Sequence, residues 1–182
     1  MNRVGQTALS VGGAALIVGA MLIPGGGMPA NNHHSARMAG DQQDIAAARQ
    51  ATARYHDINV ARADGFVPRG PCIGNAYGAA GYHYVSEANV RDGVLDVTKP
   101  EIIMYAPTHD GGLRLVNLEY FKVDEDQDVS TDDDLPSLYG VPFIGPIPGR
   151  AADQPIHYEM HAWVWSENPD GMFAHVNPRL SC

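Results

Sequence analysis

The run Pro155-Ile-His-Tyr-Glu-Met-His-Ala-Trp-Val-Trp165 carries most of the chemistry visible in this chain. Read as a strand, it puts His157, Glu159, His161, Trp163 and Trp165 on one face and Ile156, Tyr158, Met160, Ala162 and Val164 on the other. The second row is core material. The first combines imidazole, carboxylate and indole, and two adjacent tryptophans are not left in water without reason, so this face is expected to line a pocket. Imidazole and carboxylate are ligands for zinc, copper, iron or manganese, and strand residues two apart converge on one ion, which makes Glu159 and His161 a candidate metal pair. His157 and His161 stand four residues apart, about 13 Å of strand, so His157 is placed at the rim, as a proton donor. Tyr84 is the second candidate catalytic donor.

His83 and Glu119, from two other expected strands, complete a four-ligand set if the sheet curls them inward. An aromatic row of Tyr82, Tyr84, Trp163 and Trp165 would hold a flat or apolar ligand. The same face also reads as a hydrogen-bonded buried network or one wall of an amphipathic pocket; as an enzyme, the chain reads best as a metal-dependent hydrolase, isomerase or oxidase acting on a small molecule. The alternative is a non-catalytic module binding a flat or apolar small molecule. As an interaction protein, the chain would work through its acidic loop and its proline-rich segment.

These residues need elements to hold them. Asp41–Asp64 reads as a helix, capped by Asp41, with Ala48, Ala51, Tyr55, Ile58 and Ala61 as its apolar stripe and Gly65 and Pro68 as its stop. Strands are expected at 82–85, 101–106 and 113–123, the last two joined by a hairpin at Asp110-Gly111. Within 113–123, Leu113, Leu115, Asn117, Glu119 and Phe121 should share a face. Segments 69–81 and 135–155 read as irregular, the latter as a flap over the site, and 172–176 as a last short strand. His56 and His109 read as surface side chains, and His175 reads equally as a surface histidine or a ligand. The fold class is α+β: an N-terminal helix on a curled, mostly antiparallel sheet or small barrel, since no helices alternate with the strands.

Residues 1–30, with Arg3 and an apolar run Thr7–Ile23 too short to span a bilayer, read as a signal peptide cleaved after Ala30. Residues 31–40 are a disordered lead-in, and 41–182 form one domain of secreted or periplasmic location. That domain holds all 21 acidic residues against ten Lys and Arg, a formal charge of −11, which argues against nucleic acid and anionic membrane as partners. After signal cleavage no stable membrane insertion is expected, and nothing specifies an oligomeric state.

Cys72 and Cys182, the only cysteines, are expected to form a disulfide in an exported chain. The competing role, a nucleophilic Cys72, has no neighbouring histidine in sequence. The acidic stretch Asp124–Asp134 begins like a calcium loop, but Val129 stands where the glycine belongs and Leu135 where the glutamate belongs. It is expected first as a solvated loop, with nonstandard calcium binding as the lesser alternative.

The runs Gly81-Tyr-His-Tyr-Val85, Val116-Asn-Leu-Glu-Tyr-Phe121, His161-Ala-Trp-Val-Trp165 and Gly171-Met-Phe-Ala, with Asn177-Pro178 and the terminal Cys182, resemble a group of exported bacterial proteins of no known activity. The resemblance implies export and a single domain, and brings no catalytic residue with it.

Overall fold

The computed structural model describes the backbone of residues 30–150 and 154–182, and side chains from Asp41 onward. The signal-like run Thr7–Ile23 lies outside the described residues. Helical backbone begins at Ala30, so the segment expected as a disordered lead-in forms the first part of α1 (Ala30–Thr52). No proline interrupts the chain between Pro29 and Pro68, and Asp41 is an interior position, not a cap. Ile45, Ala48 and Thr52 are its buried stripe.

The expected single helix to Asp64 is broken. A 3-10 turn, Ala53–His56, follows α1, and α2 (Ile58–Ala63) restarts where the Asp57 side chain accepts the Asn59 N–H. The break is fixed by the sheet: the Tyr105 hydroxyl donates to the Tyr55 carbonyl at 2.6 Å, removing that acceptor from a continuing helix.

Six strands form one antiparallel sheet: β1 (Phe66–Asn75), β2 (Gly78–Ser86), β3 (Ile102–Pro107), β4 (Leu113–Val123), β7 (Ile144–Ile147) and β8 (His157–Ala162), in the order β1-β2-β3-β4-β8-β7. A two-strand ribbon, β5 (Ser137–Leu138) with β6 (Val141–Pro142), stands apart. The sheet curls as a half-barrel against the helix, so the α+β expectation holds.

Three local expectations do not. Segment 69–81 is mostly the hairpin β1–β2, its glycines accommodating register shifts between Arg69 and Gly74. Between β2 and β3 lies the short helix α3 (Glu87–Asp92), capped by the Ser86 hydroxyl accepting from Asn89 N–H. Part of the expected flap is β7, paired with β8 through Ile144–Glu159 and Ile147–His157, while residues 172–176 form no strand.

Two cores result. The helix-side core contains Ile45, Ala48, Tyr84, Ile103, Tyr105, Leu115, Leu118, Tyr120, Tyr158 and Met160. The opposite face holds Ile102, Met104, Val116, Phe121 and Trp163. A bulge in β4, where Met104 pairs Asn117 but Tyr105 pairs Leu115, inserts one residue and reverses the alternation behind it. Leu113 and Leu115 therefore pack on the helix side, not with Glu119 as expected.

The second face is covered by the C-terminal segment. Cys72 and Cys182 are bonded, with Cα atoms 5.6 Å apart. Ala79 and Asn177 exchange backbone hydrogen bonds, and Gly78, at φ +140°, makes that crossing possible: a Cβ there would lie 2.3 Å from the Asn177 carbonyl oxygen.

Candidate metal centre

All six residues of β8 are buried, because helix and C-terminal segment cover its two faces. On the C-terminal side it presents His157, Glu159 and His161. Register sets Glu119 of β4 opposite His161 and Phe121 opposite Glu159. From β2, His83 reaches over β3, bringing its Nε2 to 3.3 Å from Glu119 Oε2. His83, Glu119, Glu159 and His161 thus lie on one face. His161 Nε2 is 3.9 Å from Glu119 Oε2.

His83 and His157 are held alike. Each Nδ1 donates to the carbonyl of the residue two before it, Gly81 at 3.2 Å and Pro155 at 2.9 Å, which aims Nε2 at a carboxylate. For His157 that carboxylate is Glu159, at 3.6 Å. His157 also stacks on Phe121, centroids 4.5 Å apart. It is 2% exposed, so it stands behind Glu159 and not at the rim: the covering segment buries both ends of the strand.

His175, which the sequence leaves open between surface histidine and ligand, completes the cluster. Its Nδ1 lies 3.0 Å from Glu159 Oε1 and its ring stacks on His161 at 4.8 Å. Glu159, His161 and His175 each offer a ligand atom within 4.8 Å of the others. His175 is the open side, with a side chain 38% exposed against 3% for His161. It lies 14 residues beyond His161 on irregular chain, so no periodicity links the two; its only sequence signal is that it is a histidine on a segment ending in a bridged cysteine.

Three polar atoms in this cluster are buried without a hydrogen-bond partner of good geometry: Glu119 Oε2, Glu159 Oε1 and His161 Nδ1. Buried polar atoms are ordinarily satisfied, so a set of orphans converging from different residues fits a bound cation. Burial holds the His161 imidazole below its usual pKa, in the neutral form a metal requires. Burial would raise Glu159, but hydrogen bonds from His157 and His175 overcome it and hold the carboxyl well below its usual range. Burial likewise opposes charge on His83 and His157, yet the adjacent Glu119 and Glu159 raise both. The bond to Glu159 raises His175.

Other expected site residues lie elsewhere. Tyr84 is on the helix side, 4% exposed, its hydroxyl accepting from Arg62 at 3.4 Å. As the strand neighbour of His83 it must face away, and it is not a donor at this site. Tyr82 packs on the same helix-side core. The strand ends at Ala162, so alternation stops: Trp163 stays on the cluster's side, 6.5 Å from His161, its indole donating to the Ala174 carbonyl. Trp165 crosses over to donate to Thr52 Oγ1 and pack on His56. The aromatic row is therefore divided between two faces.

Two surface cavities, about 450 and 300 Å3, lie at Arg49, Trp163–Asn168 and Met172, and at Tyr55, Phe66, Ser86, Asn89 and Thr98–Pro100. Neither includes a residue of the His/Glu cluster. The cluster's opening is the half-exposed His175 edge.

Among the described residues no helix is long and apolar enough to cross a membrane. No family model, curated protein or solved structure matches this chain. Its class rests on the structure alone: an α+β protein with a helix on a curled antiparallel sheet, carrying a buried His/Glu cluster on the face away from the helix.

Proposed function

We propose that this chain is an exported protein that binds one divalent transition metal ion, zinc, copper, iron or manganese, and uses it on a small molecule. Glu159, His161 and His175 are the ligands, and Glu119 and His83 supply the adjoining charge. The observation that carries this reading is the convergence of three ligand atoms within 4.8 Å in a buried cluster where Glu119 Oε2, Glu159 Oε1 and His161 Nδ1 have no hydrogen-bond partner of good geometry. The mixed nitrogen and oxygen set suits a borderline transition ion more than calcium or magnesium. His157 orients Glu159 through its Nε2, as a partner behind a ligand does.

When bound, the ion supplies Lewis acidity. The chain's own residues bind it, exclude bulk water by the Trp163 and C-terminal cover, and leave the His175 edge for a substrate. The likeness to exported bacterial proteins, the signal-like N-terminus and the disulfide support export.

Elemental analysis of untagged protein tests the reading. One equivalent of a transition metal, lost in His161→Ala and in Glu159→Gln while the fold persists, is expected. Absence of bound metal after incubation with each of the four ions, with His161→Ala merely less stable, would make the cluster a self-neutralising ion-pair network.

A further inference from the structure

A second, chemically different site lies at the other side of β8. Asp124 immediately follows β4 and is 1% exposed, yet both its carboxylate oxygens are buried without a hydrogen-bond donor of good geometry. Its backbone is firmly placed: the N–H donates to the Ile156 carbonyl at 3.0 Å and the carbonyl accepts from Gln127 Nε2 at 2.5 Å. Gln127 itself clamps the chain before β8, exchanging hydrogen bonds with both Ile156 backbone groups.

The acidic loop returns a second carboxylate to Asp124. Asp134 accepts from the Tyr158 hydroxyl through Oδ1, at 2.5 Å, and from the Glu125 N–H through Oδ2, at 2.8 Å. The bond to Glu125 brings the Asp134 side chain back beside Asp124, the residue that precedes Glu125 in the chain. Two ionised carboxylates so placed repel unless a proton or a cation stands between them. No lysine, arginine or histidine occurs from Val123 to Gly149, so the local chain offers no cation of its own. Asp126 and Asp128 are engaged within the loop by Thr131, Ser130 and backbone N–H groups, while Asp124 is the buried carboxylate of the stretch with unused oxygens.

From the buried, donor-less Asp124 carboxylate set against Asp134, we infer a calcium site independent of the His/Glu cluster. All-oxygen ligation selects a hard ion, and an irregular loop supplies the variable geometry that calcium accepts and magnesium does not. The loop misses the standard calcium-loop spacing because its second ligand comes ten residues after the first, through tertiary folding. Tyr158 belongs to the helix-side core, so this site and the His/Glu cluster are on opposite faces of one strand.

The test is thermal unfolding of EDTA-stripped full chain with added CaCl2, paired with terbium luminescence sensitised through Tyr158. We expect a saturable rise in Tm of several degrees, half-complete at or below about 1 mM as in extracellular calcium modules. Terbium emission displaced by calcium is expected as well. Asp124→Asn, which keeps a polar partner for Asp134 without the charge, should lose both signals, and His161→Ala should keep both. No calcium-dependent shift, an equal shift in Asp124→Asn, or loss of the response in His161→Ala would overturn the inference. Should Asp124→Asn not fold, wild-type protein decides: absence of calcium-displaceable terbium emission overturns the site.

Discussion

At the scale of single residues, protons and metal compete for the same atoms. Glu119 and Glu159 draw the neighbouring His83, His157 and His175 pKa values upward, and of these His175 is a proposed ligand, so a metal entering near neutral pH would have to displace its proton. Affinity should therefore rise with pH up to that raised value, by about tenfold per pH unit for the proton released. Titration calorimetry in buffers of different ionisation enthalpy measures this, and affinity flat from pH 6 to 9 would contradict it.

In metal-free protein the signs differ. The contribution of the three raised histidines is fully present below their unfolded value of about 6.5 and lost as pH climbs through the folded values. That of Glu159 is present above its ordinary 4.5 and lost as pH falls toward its depressed folded value. Glu101 adds a separate term. It is 1% exposed, accepts the Phe121 N–H at 3.1 Å, and is pushed by burial to about 8. The folded state then holds a proton that the unfolded chain has released, so stability falls as pH rises from 4.5 to 8, by at most about 4 to 5 kcal/mol. Glu101→Gln should flatten that slope in denaturant titrations at several pH values; an unchanged slope would assign it elsewhere.

At the scale of elements, the proposed metal ligands come from two different kinds of chain. Glu159 and His161 ride on a central strand whose register with β4 is continuous from Leu118 to Val123. His175 rides on irregular chain, held by the Asn177 bridge to Ala79 and by the indole of Trp163. Gly78→Ala would drive a methyl group into the Asn177 carbonyl and force that segment outward. Metal affinity is expected to fall at least tenfold in this variant, with far-ultraviolet circular dichroism little changed; unaltered affinity would remove His175 from the ligand set.

At the scale of the molecule, the Cys72–Cys182 bond closes 110 residues of sequence and encloses every strand after the first part of β1. By loop entropy it stabilises by about 4 to 5 kcal/mol, a model-dependent figure. Because it also tethers the segment that carries His175, Cys72→Ser/Cys182→Ser should lower both the denaturation midpoint and metal affinity. Loss of stability with metal affinity intact would show that the cover docks without its tether.

Much of this architecture is local and so was legible in the chain. Residues 113–123 alternate apolar and polar side chains between clear turn signals, and the strand has those limits; Glu159 and His161 share a face because every second strand residue must. Alternation also separates Tyr84 from His83, a consequence easily passed over. A lone pair of cysteines in a chain with a signal-like leader points to a single bridge. What alternation does not contain, tertiary structure decided. The β4 bulge moved Leu115 to the other face, the Tyr105 bond to the Tyr55 carbonyl split the helix, and the end of β8 at Ala162 sent Trp165 away from Trp163. His175 and Asp134 became site residues only because irregular chain folded back onto β8, and contacts made across long loops leave no period in the sequence to read.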